Sequence, residues 1–204
     1  MIMKHPAAHA RLASAAVASL VLCTPAFGQW AVRVEVGADR FWGGSIEKAA
    51  ERRSFRPYRP TDFGLSLQRT AGNFGLGIRL QYSTAGLALE GSDGASVANG
   101  IFTVYSASPE LVYRIASFAS VNRLMLHAGP LFEVWSVLDE GSEARIGIQG
   151  ALSLRVPLGR RLSGSLIGGA ALIGSPFAGN QLDPDFERRA LWRRRFAIGL
   201  EYRL

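Results

Sequence analysis

Apolar residues recur at every second position through most of the chain, which is the period of a β-strand, whose successive side chains point to opposite faces. The last ten residues show the pattern cleanly: Phe196, Ile198, Leu200, Tyr202 and Leu204 make one face, and Arg195, Ala197, Gly199, Glu201 and Arg203 the other. Phe74, Leu76, Ile78, Leu80 and Tyr82 likewise alternate with Gly75, Gly77, Arg79, Gln81 and Ser83. Ile146, Ile148, Leu152, Leu154, Val156 and Leu158 share a face opposite Arg145, Gln149, Ser153 and Arg155. Segments of this kind cover residues 30–41, 61–71, 73–84, 99–116, 122–138, 143–158, 161–174 and 190–204, which predicts eight strands and an all-β fold. Pro109 and Pro130 each remove a ladder donor, so a bulge or a strand end is expected at both.

The connections carry independent information. With the first strand running outward, one end of the sheet has the connections 42–60, 85–98, 139–142 and 175–189, and the other has Gly72, 117–121 and 159–160. Long and short connections alternate except at 139–142, the asymmetry of a membrane barrel with long outer loops and short periplasmic turns. A soluble barrel would share the strand count, so the residue types on the two faces must decide. Trp30, Val32, Val34 and Val36 oppose Arg33 and Glu35; Leu111, Tyr113 and Ile115 oppose Glu110 and Arg114. The polar face mixes charges of both signs with Gly, Ala, Ser and Gln, and lysine, the usual residue of a wet surface, is almost absent. An eight-stranded barrel has an interior just wide enough for side chains to fill. Isolated charge there is costly, so Arg33, Glu35, Arg79, Glu110, Arg114, Glu133, Arg155, Arg195, Glu201 and Arg203 are expected to pair in the lumen. Such a lumen leaves no open aqueous channel, which argues against a porin. Aromatic residues such as Trp30, Tyr82, Tyr105, Tyr113, Trp192 and Tyr202 fall near strand ends, as interfacial girdles require.

These features resemble the family of small bacterial outer-membrane β-barrels that includes the transmembrane part of outer membrane protein A. The resemblance implies an eight-stranded antiparallel transmembrane up-and-down β-barrel in the outer membrane of a Gram-negative bacterium, reached after export to the periplasm. It also implies that Phe196, Ile198, Leu200, Tyr202 and Leu204 form the strand signal read by the barrel assembly machinery, with Leu204 where the class most often has Phe. Residues 1–28 fit an export signal: Lys4 and Arg11 are basic, 12–23 is a short apolar run, and Ala26, Phe27 and Gly28 lead to cleavage before Gln29. The barrel domain is then 29–204. Cys23, the only cysteine, would be lipid-modified or an incidental part of that run; bulky Leu22 before it favours the latter.

Loss of Lys4 and Arg11 lowers the formal net charge from +7 to +5, and the remaining positive charge is arginine except for Lys48. The arginines follow no nucleic-acid motif and no nucleic-acid partner is expected. Arg40, Lys48, Arg52, Arg53, Arg56 and Arg59 gather around the first outer connection, and Arg188, Arg189, Arg193 and Arg194 flank the last. First and last strands are neighbours in a closed barrel, so Arg52, Arg53, Arg56, Arg59, Arg188, Arg189 and Arg194 are expected to form a patch at one rim. That patch either faces lipopolysaccharide phosphates or pairs locally with Glu47, Glu51, Asp183, Asp185 and Glu187. The segment Asp183, Pro184, Asp185 reads as a turn, not a calcium loop.

The lipid A deacylase family is similar in size and strand number, but its motif has Ser two residues after a catalytic His. Here His127 is followed at that place by Gly129. With His5 and His9 in the export signal, His127 is the sole candidate base, and it is expected to be a hydrogen-bonded lumen residue without a nucleophile in reach. No metal or cofactor is expected. The expected protein is therefore a monomeric, non-enzymatic barrel serving envelope integrity or a surface interaction, with outer-membrane lipids and lipopolysaccharide as partners. The alternatives are a lipid A-modifying enzyme and a passive conduit for small hydrophobic molecules.

Overall fold

The computed structural model describes residues 28–47, 54–91, 94–119, 121–137, 141–175 and 185–204. The predicted export signal up to residue 27, Arg52, Arg53 and the turn at 183–184 lie outside the described residues. Eight antiparallel strands close into one barrel in sequence order: β1 (Gln29–Glu47), β2 (Ser54–Ala71), β3 (Phe74–Gly91), β4 (Gly94–Phe118), β5 (Asn122–Val137), β6 (Gly141–Pro157), β7 (Leu162–Ile173) and β8 (Phe186–Arg203). β1 meets β8 from Ala31↔Arg203 to Glu47↔Phe186, and the Leu204 amide donates to the Trp30 carbonyl at 3.0 Å, so the end of the chain completes the closing seam.

The turns at the end where β1 begins and β8 finishes match the predicted positions. Gly72, at φ 63°, closes the β2–β3 turn in a left-handed conformation that a side chain would strain. At the other end the strands run further than alternation predicts. The connections expected at 42–60, 85–98, 139–142 and 175–189 shrink to 48–53, 92–93, 138–140 and 174–185. β1 continues past Phe41 through a bulge between Gly43 and Ser45, where Gly43 and Gly44 adopt φ 85° and 100°. The two prolines also differ from expectation, since neither ends a strand nor shifts the register. Pairing of β4 with β5 instead lapses between Ala107↔Phe132 and Leu111↔Ala128, while Pro109 and Pro130 keep their places opposite Ile78 and Ile148. Gly129 fits there because a Cβ on it would lie 2.0 Å from the Pro109 carbonyl oxygen.

Outside, the barrel carries a continuous apolar belt. Phe196 is 73% exposed, Ile146 70% and Leu111 65%, far from the behaviour of a soluble sheet face. On β1 the outward apolar run is residues 30–38 and on β8 it is 196–204, nine residues each. A tilted strand needs about 9–11 residues to cross a bilayer, so this is a transmembrane barrel. On β2 to β6 the belt ends at one row of paired positions, Phe63, Tyr82, Tyr105, Val134 and Ala144, followed outward by Thr61, Thr84, Thr103, Ser136 and Ser142. Tyr82 and Tyr105 stack with ring centroids 5.4 Å apart at that edge.

Inside, the lumen has two tiers. Charged and amide groups fill the part within the belt. Beyond it Phe41, Ala85, Phe102, Val104, Trp135 and Leu191 form an apolar cluster, with Trp135 and Leu191 fully buried. Trp135 meets Phe41 and Phe102 edge-on at 5.8 and 5.7 Å. The expectation of a polar lumen throughout is thus corrected. Where the strands leave the bilayer the inner face must supply a hydrophobic core, because water replaces lipid as the outer solvent.

Candidate functional site

Inward positions of β1, β2, β3, β4, β5, β6 and β8 converge on the charged tier. Glu35 lies at its centre: its carboxylate meets Arg33 Nε at 2.6 Å, Arg195 Nη1 at 2.8 Å and Arg79 Nε at 3.8 Å. Arg195 also binds Asp62 through Nη2, and through Nε at 2.9 Å. Arg79 reaches Glu110 at 3.3 Å. Glu201 is shared by Arg155 at 2.9 Å and Arg33 at 3.8 Å, and Arg155 further donates to Gln68 at 2.8 Å. Glu133 accepts from Arg193 at 2.7 Å, Ser106 at 3.1 Å and the Trp135 indole at 2.8 Å, which ties the two tiers together. All of these charged groups are buried, and each lies within ion-pair distance of a group of opposite sign on a neighbouring or facing strand.

The tier also holds Asp39, Asp62 and Arg193, charged residues outside the predicted network. Arg193 was placed on the outer rim, yet it is 3% exposed and points inward between Glu133 and Asp39. Its parity with Arg195 and Glu201 carries the signal, because inward positions recur every second residue. Two expected members behave differently. Arg114 and Arg203 share the inward parity but sit at the mouth with the short turns. There Arg114 donates to the Gly72 carbonyl and Arg203 to the Arg160 carbonyl, both at 2.7 Å, so they close turns instead of pairing with carboxylates.

His127 is fully enclosed as expected, but a nucleophile does lie in reach. Ser153 Oγ is 2.8 Å from Nε2, and Glu110 Oε2 is 3.2 Å from Nδ1. The three form a serine, histidine and carboxylate relay across β4, β5 and β6. The β5–β6 register that pairs His127 with Ala151 sets Ser153 one inward step away, a relation invisible without the register. Ser153 is 0% exposed, and Glu110 is engaged by Arg79 and Gln149 as well. The relay therefore has the geometry of proton transfer and is buried among the described residues. Among the described residues no group of His, Cys, Asp and Glu is arranged to hold a metal ion.

The predicted outer patch separates into distinct places. Arg188 and Arg189 are exposed near the start of β8, with Arg189 3.9 Å from Glu187. Arg56 donates to the Phe41 carbonyl at 3.0 Å, and of Arg59 only the backbone, within β2, is described. Arg194 lies on the outer wall, where its guanidinium stands 4.8 Å from the Trp42 ring and that of Arg40 stands 5.2 Å from the same ring.

No family model and no curated protein matches the chain. Among solved structures, Neisserial surface protein A superposes with a TM-score of 0.57 at 10% identity, over 85% of this chain and 96% of the other. The outer membrane protein OprG from Pseudomonas aeruginosa gives 0.56 at 13% identity, over 87% and 96%. At such identities the likeness is one of fold, and the fold is that of small outer-membrane barrels.

Proposed function

We propose that the protein is a non-enzymatic, monomeric barrel of the Gram-negative outer membrane that acts from its outer surface. In this reading it engages lipopolysaccharide and supports envelope integrity. One observation carries it: the lumen is blocked twice, by the ion-pair network and by the Phe41, Phe102, Trp135 and Leu191 cluster. A blocked lumen supports no aqueous flux and leaves the outer wall and rim as the surfaces able to act. Export, and insertion by the barrel assembly machinery through the apolar face of β8, belong to the same reading. Protein extracted from outer membranes should carry lipopolysaccharide and should fail to swell sugar-loaded liposomes; protein that carries none, or that swells them, overturns it.

The Ser153, His127 and Glu110 relay favours a second reading, hydrolysis or transfer of a lipid acyl chain. Mass spectrometry of lipid A from cells with the wild-type protein and with Ser153→Ala separates the two. A change in acylation that depends on Ser153 establishes the enzyme and removes the non-enzymatic reading.

A further inference from the structure

On the outer wall of the closing seam Arg40 stands directly opposite Arg194, and Trp42 opposite Trp192. Like charges directly opposite one another weaken a strand pair. Both guanidinium groups nevertheless converge on one indole, that of Trp42, and both side chains are exposed. Among the described residues neither has a carboxylate within ion-pair distance, in contrast to the buried Arg193 and Arg195 one strand position to either side of Arg194. Two cations held together with no anion between them make a socket for a doubly acceptor group, and the planar fork of arginine suits phosphate through paired N–H donors.

Its height on the wall identifies the occupant. The next outward pair towards the chain termini is Ala38 and Phe196, the last members of the apolar belt on these strands, followed by Val36 and Ile198. The socket is therefore flush with the outer edge of the hydrocarbon layer, where lipid phosphates lie and where Trp and Arg side chains anchor a membrane protein. A ligand seated there keeps its charged group between Arg40 and Arg194 while its apolar part lies along Phe196, 73% exposed, and Ile198 on the hydrocarbon side. A soluble anion would gain nothing from that apolar border.

We propose that Arg40, Trp42 and Arg194 clamp a phosphate of an outer-leaflet glycolipid, the phosphorylated glucosamine backbone of lipopolysaccharide, against the closing seam of the barrel. The proposal rests on the surface reading above and assigns it a place. It differs from a loop patch, because the ligand is held from the side, in the plane of the membrane.

The test is native mass spectrometry of the full folded barrel in detergent, titrated with diphosphorylated lipid A and with its dephosphorylated form. Heat-shifted gel mobility reports folding. Wild type should prefer the phosphorylated form, and Arg40→Gln with Arg194→Gln should lower its retention by about tenfold while leaving binding of the dephosphorylated form unchanged. Arg40→Lys with Arg194→Lys keeps the charge and loses the forks; it should bind between the two and decides the matter if the Gln pair does not fold. Millimolar inorganic phosphate should leave bound lipid A in place. Retention equal to wild type in the Gln pair, or in the Lys pair where that one decides, or displacement by free phosphate overturns the clamp. Loss confined to Arg188→Gln with Arg189→Gln overturns the clamp and keeps the surface reading, whereas a wild type that retains no lipid A removes both.

Discussion

Between Glu133 and Trp135, successive inward positions of β5, the barrel interior changes from ion pairs to an aromatic cluster. The wall outside changes in the opposite sense, from the belt edge at Phe63, Tyr82 and Tyr105 to Thr61, Thr84 and Thr103. Within the bilayer the lipid solvates the apolar face, so the lumen holds whatever fills space and satisfies charge. Beyond it, water solvates the outer face and the lumen must do the work of a hydrophobic core. The same strand therefore carries both arrangements, and the inversion marks the outer interface without reference to any relative.

The sharpest way to break this contrast is Glu35→Ala. It leaves Arg33, Arg79 and Arg195 without their common carboxylate, and removal of one partner from a buried pair costs about 3–5 kcal/mol. Urea unfolding of the refolded barrel should show that loss, together with a lowered temperature for the heat-dependent gel shift. An unchanged midpoint would mean that the network does not hold the lumen. Trp135→Ala should cost about 3 kcal/mol through the cavity it opens. Its signature differs, because it should expose the outer ends of the strands to protease while the membrane-embedded part stays resistant. If instead both regions are cut together, the tiers are one cooperative unit. The smallest effect is expected at the seam. Tyr202→Asp, outward and near the interface, should slow insertion into lipid vesicles at a cost of about 1 kcal/mol or less, and Leu204→Phe should leave it unchanged or faster. Normal insertion of the Asp variant would show that the apolar face of β8 is not the assembly signal.

How far the sequence could be read follows the same boundary. Inside the belt the dyad is uniform, and the strand ends at the short turns and most of the charged tier follow from parity alone. Beyond Ala38 the sequence runs through Arg40, Phe41, Trp42, Gly43 and Gly44, where the apolar residue moves to the inner face and two glycines form a bulge. A rule that follows one apolar face loses the strand there and reads a loop. The same inversion disguised Arg193 and Arg194, one inward and one outward, as a single rim cluster. The Ser153 contact with His127 needed the β5–β6 register, and the three-residue connection between those strands, 138–140, carries no turn signal that fixes it from sequence.

The extended closing seam has a mechanical corollary. β1 and β8 are joined over sixteen paired positions, whereas β6 and β7 share eleven, from Gly147↔Ile173 to Pro157↔Ser163, and β1 and β2 share ten, from Gln29↔Thr70 to Ala38↔Thr61. A cylinder under lateral load parts along its shortest line of stitching. The seam between the first and last strands is thus reinforced, and any transient slit in this wall would open away from it, along the shorter ladders that join β1 to β2 or β6 to β7.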